Sequence, residues 1–520
     1  MSTPLTIPAL LHRSADQFGS ATYLVSTNGA ATDRLTYRQA EQVSADAARQ
    51  LLAIGVGKGT RVGVFFSNGT DWIVWWLAAS RIGAVVVPLS TMYRPAELAK
   101  VLRLADITVL VSGARVLDSE VPEMLEAALP ELADQSAGRL RLVAAPFLRT
   151  IVLTEPTDRT WASTPGDPDD VPAALLTAAE AEVTPADLAV MVHTSGSTAD
   201  PKGVLHTHGT LVRQTSTWPA AARFVTGSAT EARVFCAMPF FWIGGLLAAT
   251  GALHEATTVL TLPRLEPTAA LDLIESERAT GLIGWPAFTQ KLREHPSFAS
   301  RDLSAAPLLR DGPLDIAMVD VPDGFPVHRT MSETAGGFGH TDIAVVDDDG
   351  EPVPDGTVGE LLVRGIGVMS GYNKRERHDT FDADGWYHSG DRVYRRSGDP
   401  RMFYVGRQTD LIKSAGANVS PLEVEAVLQD CDGVATAVAF GLDDPERGEV
   451  VCAVLVPSGN GLDLAAVAGY AREQLSSYKV PRRWALATTD QIPVLASGKL
   501  DRKALPALVT AGALALVAAG

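Results

Sequence analysis

The chain has 520 residues, of which 46% are hydrophobic and 20% are charged, a balance that is ordinary for a globular protein with large cores. Its length is enough for three or four domain-sized units, although large α/β lobes can merge them. The 44 basic and 61 acidic side chains give a net charge of −17, which argues against binding to a nucleic-acid phosphate backbone as the main function.

The first 115 residues alternate between helix and strand signals. Apolar side chains recur at helical spacing in the segment 40–51, and the run RVGVFF at 61–66 predicts a strand. Further along, we expect helices at 71–81 and from Pro95, and strands at 84–87 and 107–111. Because these strands are almost continuously apolar, they predict a buried and mostly parallel sheet, which is typical of α/β proteins.

The remainder of the chain divides into sections of different character. An acidic, proline-rich stretch from Pro156 to Pro185 predicts a surface connection, and a second α/β section then extends to about residue 340. Past Arg407 the pattern changes. A capping box with proline at the first helical position, 420–423, precedes strands predicted at 434–440 and 450–456 and a helix at 463–476. We therefore expect a separate, small α+β domain at the carboxyl end.

Cysteine content and the two termini bear on the cellular location. Cys236, Cys431 and Cys452 are far apart in sequence, which argues against a disulfide scaffold and against a cysteine zinc site. The amino terminus lacks a basic segment followed by a long apolar core, so we expect no signal peptide. The apolar tail after Pro506 is too short to span a bilayer. The sequence thus predicts a cytoplasmic protein without a transmembrane segment.

The segment HTSGSTADPKG, His193–Gly203, follows an apolar run that predicts a strand. Backbone N–H groups, hydroxyl side chains and the cation of Lys202 together suit a polyphosphate ligand. The spacing is not that of a Walker A loop, because Pro201 and Gly203 stand where that motif needs other residues. Taken alone, the segment is compatible with either a phosphate site or an ordinary polar turn.

Four further segments occur with this loop in a characteristic order. They are GEL at 359–361 with GY at 371–372, GWYHSGD at 385–391, GRQTDLIKSAGANVSPLEVE at 406–425 and PVLASGKLDRKAL at 493–505. Together with TSGSTADPKGV, they resemble the five motifs of the adenylate-forming superfamily, which includes acyl-CoA synthetases, adenylation domains and luciferases. The resemblance covers essentially the whole chain and is closest to a fatty-acid or other acyl-CoA ligase.

The resemblance implies an α/β fold with a large amino-terminal domain of packed α/β subdomains and a small, mobile α+β carboxyl-terminal domain. The expected boundaries are 1–406 for the AMP-binding domain, 407–510 for the mobile domain and 511–520 for an apolar tail. The implied reaction uses ATP and Mg²⁺ to activate a carboxylic acid as an acyl-adenylate, which coenzyme A then accepts. The expected partners are a small-molecule carboxylic acid and CoA, or a separate acyl carrier protein, and no nucleic acid.

The resemblance also assigns roles to single residues of this chain. Lys202 and Thr194, Ser195, Gly196, Ser197 and Thr198 would bind the β- and γ-phosphates, and Glu333 with Thr194 would hold Mg²⁺. Asp391 would accept hydrogen bonds from the ribose hydroxyls, with Ser332 and Arg407 near the nucleotide. Lys499 would bridge the substrate carboxylate and the α-phosphate. Lys413 and Gly416 match the loop that approaches the pantetheine arm of CoA.

The aromatic segment PFFWIGG at 239–245 resembles the family segment that lines the acyl pocket. Trp242 stands where many relatives have histidine, so Trp242 and Gly244 are expected to favour a hydrophobic acid, although Trp242 could equally be a core residue. His206 and His208 are too few for a metal site, and we expect no zinc there.

Three features depart from the family pattern. The segment around 305–312 does not match the family segment that contacts adenine and walls the acyl pocket. Arg329 replaces the tyrosine that stacks on adenine, although a guanidinium can also stack on a base. Thr409 replaces the usual hinge residue. We therefore expect altered nucleotide affinity and altered kinetics of domain rotation.

Three functions remain open from the sequence. The first is an acyl-CoA synthetase for a hydrophobic acid, and the second is a ligase that loads a separate carrier protein. The third is a non-catalytic acyl-binding homologue, which the 305–333 segment would favour but which the presence of Lys499, Asp391 and Glu333 opposes. The sequence identifies neither the acid nor the oligomeric state.

Overall fold

The computed structural model describes residues 5–28, 31–194, 200–226, 232–284, 286–307, 309, 341–398, 402–407, 411–414, 416–459, 461–493 and 500–518. The chain forms two compact units. The first consists of residues 1–91, 102–193 and 203–406, and the second consists of residues 92–101, 194–202 and 407–520.

The helices and strands alternate along the first part of the chain. In order they are α1 (Ile7–Phe18), β1 (Thr22–Thr27), β2 (Thr32–Thr36), α2 (Tyr37–Ala53), β3 (Arg61–Phe65), α3 (Thr70–Arg81), β4 (Val85–Pro88), α4 (Pro95–Leu104), β5 (Val109–Ser112), β6 (Arg115–Val116), β7 (Ser119–Glu120), α5 (Val121–Ala128), β8 (Thr150–Leu153), α6 (Ala173–Ala181) and β9 (Leu188–Thr194).

The elements that follow residue 200 are β10 (Lys202–Thr207), α7 (His208–Thr215), α8 (Trp218–Thr226), β11 (Ala232–Cys236), α9 (Ile243–Gly251), β12 (Thr257–Thr261), α10 (Pro267–Ser276), β13 (Gly281–Ile283), α11 (Pro286–Arg293), β14 (Asp342–Val346), β15 (Gly359–Arg364), β16 (Gly371–Tyr372), β17 (Tyr387–Arg395) and β18 (Met402–Arg407). Beyond residue 410 come β19 (Ile412–Ser414), β20 (Ala417–Val419), α12 (Pro421–Gln429), β21 (Val434–Asp444), β22 (Gly448–Pro457), α13 (Leu464–Gln474), β23 (Arg483–Leu486), α14 (Leu505–Thr510) and β24 (Leu516–Val517).

A seven-stranded sheet has the order β16-β10-β9-β4-β3-β5-β8, and its pairs from β9 to β8 are parallel. Strands β3, β4, β5 and β8 are buried along nearly their whole length, as expected for a parallel sheet that is covered on both faces. On α3, the rings of Trp72 and Trp76 are fully buried, with their centroids 6.1 Å apart. The expectation of a buried α/β core is therefore confirmed.

A second sheet of five strands has the order β13-β11-β12-β1-β2 and is also mainly parallel. Tyr37, the first residue of α2, holds the start of β12 in this sheet. Its hydroxyl donates to Ala252 O at 2.7 Å and accepts from Thr257 N–H at 3.0 Å. A four-stranded sheet, β14-β15-β17-β18, completes the sheets of the first unit that bear on the site.

The second unit contains a sheet of the order β20-β19-β22-β23-β24, with β21 also paired to β22. Helices α12 and α13 contribute to a core that includes Val424, Leu428, Val467 and Trp484. The tail strand β24 pairs with β23, so part of the apolar carboxyl end is a sheet strand.

The structure corrects three expectations of local structure. The proline-rich connection contains helix α6 and a fully buried Trp161, so it is not only a surface link. Of the apolar residues that recur at helical spacing in 40–51, Val43 lies on the exposed side of α2, with 38% of its surface accessible. At the start of α12, only half of the predicted capping box forms: Ser420 accepts from the Glu423 N–H at 3.4 Å, but the Glu423 carboxylate instead contacts Lys479 Nζ at 2.7 Å.

In the described part of the chain, no helix is both long and apolar enough to cross a membrane.

Candidate active site

The two ends of the phosphate-loop segment lie on neighbouring strands. Thr194 is the exposed last residue of β9, and Lys202 is the partly buried first residue of β10. A Cβ atom at Gly203 would lie 2.8 Å from Met191 Sδ and 3.2 Å from Asn373 Cβ, so only glycine fits there without movement. This close approach explains why a glycine follows the lysine.

The GY segment of the sequence lies beside the same strand. Strand β16 pairs antiparallel with β10, with Val204 opposite Tyr372 and Leu205 opposite Gly371. Asn373 follows directly and is held by Arg61, whose Nη2 donates to Asn373 Oδ1 at 3.0 Å. Two of the motifs that were separated in sequence are therefore adjacent in the sheet.

Asp391 lies on β17 within a bulge against β15. The pairing register shifts between Glu360 and Leu362. Gly390 has a φ of +71°, in the left-handed region that glycine adopts without a steric penalty. The Glu360 Oε1 atom accepts from the Gly390 N–H at 3.0 Å, which satisfies a backbone donor that the bulge removes from the ladder.

The serine of the same motif completes the bulge. Ser389 Oγ donates to Leu361 O at 2.7 Å and accepts from the Asp391 N–H at 3.0 Å. Glu360, Ser389 and Gly390 therefore fix the backbone that carries the partly buried Asp391 side chain. These contacts give a physical reason for the GEL and SGD motifs to occur together.

Trp242 is the residue that precedes α9, and its side chain is partly buried against Phe241, with ring centroids 5.7 Å apart. The turn before it is tight, since a Cβ at Gly245 would lie 2.2 Å from Pro239 O and one at Gly244 would lie 2.8 Å from Met238 Cε. The two glycines therefore allow the aromatic segment to fold back onto the start of the helix.

Asn68 holds this aromatic segment from another part of the chain. Its Nδ2 atom donates to Met238 O at 3.0 Å, and its Oδ1 atom accepts from the Phe240 N–H at 2.7 Å. The side chain is buried, and both of its polar atoms are used. Sequence reasoning missed Asn68 because it belongs to none of the motifs and lies far from residue 240 in sequence.

In the second unit, Lys413 and Gly416 form part of a β-hairpin. Lys413 is exposed on β19, and its backbone N–H donates to Glu449 Oε2 at 2.5 Å. Ser414 pairs with Ala417, so the chain reverses within two residues. Gly416 has a φ of +83°, which makes glycine the suitable residue for this turn.

An arginine-lined cavity in the second unit had no sequence signal. The cavity has a volume of about 520 Å³ and is lined by Arg472, Arg482, Arg483, Trp484 and the carboxyl-terminal residues 516–518. Arg447 lies near Arg482: burial and then the charge of Arg482 lower the pKa of Arg447, while Asp444 and Glu446 act in the opposite direction. We call these four arginines the arginine cluster. Such a concentration of positive charge can bind a polyanion.

Three histidines near the phosphate-loop strands are electrically neutral at physiological pH. Burial lowers the pKa values of His193, His206 and His208 to about 4. His208 Nδ1 accepts from the Ile7 N–H at 3.3 Å, which is a structural role. Within the described ranges, no group of three or more His, Cys, Asp or Glu side chains is placed to hold a metal ion.

Several predicted site residues lie outside the described residues. These are Ser195, Gly196, Ser197, Thr198, Ser332, Glu333 and Lys499, together with Arg329 and Thr409. The backbone of Arg407 ends β18, but the position of its side chain is likewise outside the described part. Of the atypical segment 305–333, the described part includes Ala306 and Leu309, both of which are buried in the core beside β13 and α11.

Comparison with known proteins accounts for nearly all of the chain. The family model described as "AMP-binding enzyme" matches residues 11–313 and 316–373, and that described as "AMP-binding enzyme C-terminal domain" matches residues 423–499. The chain belongs to the AMP-binding enzyme family. The first match extends through the atypical segment that contains Ser332 and Glu333, and is interrupted at 314–315.

Curated members of the AMP-binding enzyme family resemble this chain along most of their length. The chain is 33% identical over 495 residues to feruloyl-CoA synthase from an Amycolatopsis species, covering 90% of this chain and 92% of that protein. It is 32% identical over 538 residues to 3-[(3aS,4S,7aS)-7a-methyl-1,5-dioxo-octahydro-1H-inden-4-yl]propanoyl:CoA ligase from Mycobacterium tuberculosis, covering 96% of this chain and 98% of that protein.

A solved structure of the same architecture extends the comparison. The amide bond synthetase McbA from Marinactinospora thermotolerans aligns with a TM-score of 0.74 at 25% identity, covering 96% of this chain and 99% of that one. The predicted membership of the adenylate-forming superfamily, the predicted fold class and the prediction that the chain is a ligase of the acyl-CoA synthetase type are therefore confirmed.

Proposed function

We propose that this AMP-binding enzyme is an ATP-dependent acyl-CoA synthetase that activates a hydrophobic carboxylic acid and transfers it to coenzyme A. The observation that carries the proposal is the bulge at Ser389–Gly390, which is held by Glu360 and presents Asp391. A carboxylate fixed in this way is suited to accept hydrogen bonds from the two hydroxyls of a ribose. The similarity to CoA ligases over nearly the full length supports the same conclusion.

The first half-reaction joins the acid to the nucleotide. A carboxylate oxygen of the acid attacks the α-phosphorus, the bond from that phosphorus to the bridging oxygen breaks, and pyrophosphate leaves. The protein has to position two anions and neutralise their charge. We assign the β- and γ-phosphates to the loop 194–198 and Lys202. Lys499 is assigned to the carboxylate and α-phosphate, and Arg407 and Ser332 to positions near the nucleotide.

Magnesium is assigned to Glu333 and Thr194. A carboxylate and a hydroxyl are oxygen ligands of the kind that Mg²⁺ accepts alongside phosphate oxygens, and the exposed position of Thr194 at the end of β9 fits this assignment. When bound, the ion would neutralise part of the charge on the leaving pyrophosphate.

The acid is assigned to the segment that includes Trp242 and Gly244. The indole lies at the start of α9, partly buried, in a turn that Asn68 holds in place. A large apolar ring in this position favours an acid with an apolar body over a small polar acid. Substitution of Trp242 should therefore change which acids react more than it changes the use of ATP.

The second half-reaction requires an acceptor. The thiolate of coenzyme A attacks the acyl carbonyl, a carbon–sulfur bond forms, the carbon–oxygen bond to the phosphate breaks, and AMP leaves. We assign the approach of the thiol to Lys413 and Gly416, and take 407–510 as the mobile domain and 1–406 as the AMP-binding domain. The arginine cluster supports coenzyme A as the acceptor, because this molecule carries several phosphates.

An amine acceptor is the second candidate. Its support is the structural similarity to an amide bond synthetase, with which the chain aligns at a TM-score of 0.74. A carrier-protein thiol would be a third acceptor for the same acyl-adenylate. All three share the first half-reaction, so the acceptor has to be tested separately from adenylation.

The test is acid-dependent release of pyrophosphate from ATP and Mg²⁺, measured across short, medium, long and aromatic acids. Lys499→Ala is the control that should remove the release. Products are then identified with CoA, an amine or a holo-carrier protein present. We expect thioester with CoA, and a raised KM for CoA with an unchanged KM for ATP in Arg482→Ala/Arg483→Ala. Absence of release with every acid in folded protein would contradict the proposal.

A further inference from the structure

A basic and apolar surface loop lies on the first unit, outside all the motifs described above. Residues 138–149 read GRLRLVAAPFLR and contain three arginines without any acidic residue, although the chain as a whole has a net charge of −17. The segment connects a short 3₁₀ helix, Pro130–Asp134, to β8. Together with Arg103 from the last turn of α4, we call it the arginine loop.

The arginine loop exposes two large apolar side chains at its tip. Val143 is 79% exposed and Phe147 is 53% exposed, with the exposed Pro146 beside Phe147. Single exposed apolar residues are common on protein surfaces. Two of them within five positions, on a loop that also carries arginines at both ends, form an amphipathic surface that requires a different explanation.

Buried leucines and backbone hydrogen bonds fix the conformation of the arginine loop. Leu140, Leu142 and Leu148 are buried and anchor it from below. Leu140 N–H donates to Arg149 O at 2.9 Å, and Arg149 N–H donates to Thr108 O at 2.8 Å next to β5. Because the leucines point inward, the intervening Arg139, Arg141 and Val143 are held outward.

Backbone carbonyls accept hydrogen bonds from two of the four guanidinium groups of the arginine loop. Arg103 Nη1 donates to Val143 O at 3.0 Å, and Arg149 Nη1 donates to Pro146 O at 2.7 Å, so both guanidinium groups fold the loop through backbone carbonyls. Arg139 and Arg141 are exposed. Over the described ranges, no carboxylate forms an ion pair with any of these four arginines.

One carboxylate does contact the loop, but it contacts the backbone. Glu131 Oε2 accepts from the Val143 N–H at 2.6 Å and thereby fixes the start of the apolar tip. It cancels at most one of the four positive charges. The loop is therefore a local cationic surface, with an apolar tip, on an otherwise acidic protein.

We propose that the arginine loop docks the protein onto the surface of a bilayer that contains anionic phospholipids. Guanidinium groups would contact the lipid phosphates, and Val143 and Phe147 would enter the region between headgroups and acyl chains, as interfacial segments do. A bilayer that contains anionic lipids offers phosphates beside an apolar layer, which matches both the arginines and the apolar tip of the loop. The inference does not depend on which acid the enzyme activates.

The experiment is co-sedimentation of the full chain with vesicles of phosphatidylcholine alone and with vesicles that also contain phosphatidylglycerol. At low salt we expect binding to the anionic vesicles and little binding to the neutral ones. Arg139→Glu/Arg141→Glu should lower the partition coefficient for anionic vesicles about tenfold or more. Salt should weaken the binding of the wild-type protein, because exposed charges are screened.

The apolar tip is tested by Val143→Ser/Phe147→Ser, which should weaken binding several-fold and leave its salt dependence in place. Matched controls are Arg278→Glu and Leu175→Ser, which change an exposed arginine and an exposed leucine elsewhere and should bind like the wild type. Thermal unfolding of each variant verifies that it is folded. Failure of the wild-type protein to bind anionic vesicles at low salt, or equal binding by the loop variants, would overturn the proposal.

Discussion

At the scale of single residues, the backbone of Gly390 and the carboxylate of Glu360 determine where Asp391 lies. Glu360→Ala removes the acceptor of the Gly390 N–H and should loosen the bulge, because a buried or partly buried donor without a partner is costly. We expect the KM for ATP to rise about tenfold, which corresponds to about 1.4 kcal/mol. Steady-state kinetics with ATP and with the acid as the varied substrates measure this effect.

The matched control for this prediction is Glu360→Gln, which keeps an oxygen acceptor in the same place and should retain a near-normal KM for ATP. Gly390→Ala should behave like Glu360→Ala, since a φ of +71° costs an alanine about 1–2 kcal/mol. If Glu360→Ala lowered the melting temperature while the KM for ATP stayed unchanged, the bulge would be structural and would have no role in nucleotide binding.

At the scale of elements, His208 joins the start of α7 to the start of α1 through its contact with the Ile7 N–H. Burial lowers the pKa of His208 to about 4, whereas an exposed histidine titrates near 6.5. Between these values the unfolded chain binds more protons than the native one, so stability is lost as the pH falls through this window. At pH 4 this pKa difference lowers the free energy of unfolding by about 3 kcal/mol relative to its value above pH 6.5.

We expect His208→Asn to reduce this acid sensitivity, because the amide oxygen can accept the Ile7 N–H but does not titrate in this range. The melting temperature should therefore fall less between pH 6.5 and 4.5 in the variant than in the wild type, as measured by calorimetry. His193 and His206 would retain their own contributions. Parallel melting curves for the two proteins across this pH range would contradict the prediction.

The helices and strands also show how much of the fold could be predicted from the sequence. Strand β3 and helix α3 were predicted within one residue of their ends, since long apolar or periodic runs carry their own signal. The arginine cluster could not be predicted. Its members come from α13 and from the starts of the neighbouring strands β22 and β23, and neither the strand pairing nor the approach of the helix is visible in any local pattern.

The candidate active site, like the fold, was predicted only in part from the sequence. Asp391 was selected through its motif, but the bulge that holds it became visible only in the pairing of β15 with β17. Asn68 was missed, because a single asparagine carries no information about the distant backbone atoms that it will bind. Local motifs thus identify candidate ligand-binding residues, and tertiary structure is needed to find the residues that hold them in place.

At the scale of the whole molecule, the two half-reactions are assigned to different segments of the carboxyl-terminal domain. Lys499 is assigned to adenylation, and the hairpin of Lys413 and Gly416 to thioester formation. The hairpin requires a glycine at position 416, because Gly416 has a φ of +83° and lies between the paired residues Ser414 and Ala417. A substitution of Gly416 therefore tests the role of the hairpin. A side chain at this position strains the turn that would approach the thiol.

We therefore predict opposite effects for two substitutions. Lys499→Ala should lower acid-dependent pyrophosphate release at least a hundredfold, yet still convert a synthetic acyl-adenylate and CoA to thioester. Gly416→Val should leave pyrophosphate release within a few-fold of the wild type and slow thioester formation from the same adenylate at least tenfold. Rapid-quench assays of each half-reaction give these rates, with Gly459→Val as the control, because a Cβ at Gly459 meets no other atom within 4 Å. Equal losses in both half-reactions for both variants would show that the two segments do not divide the chemistry between them.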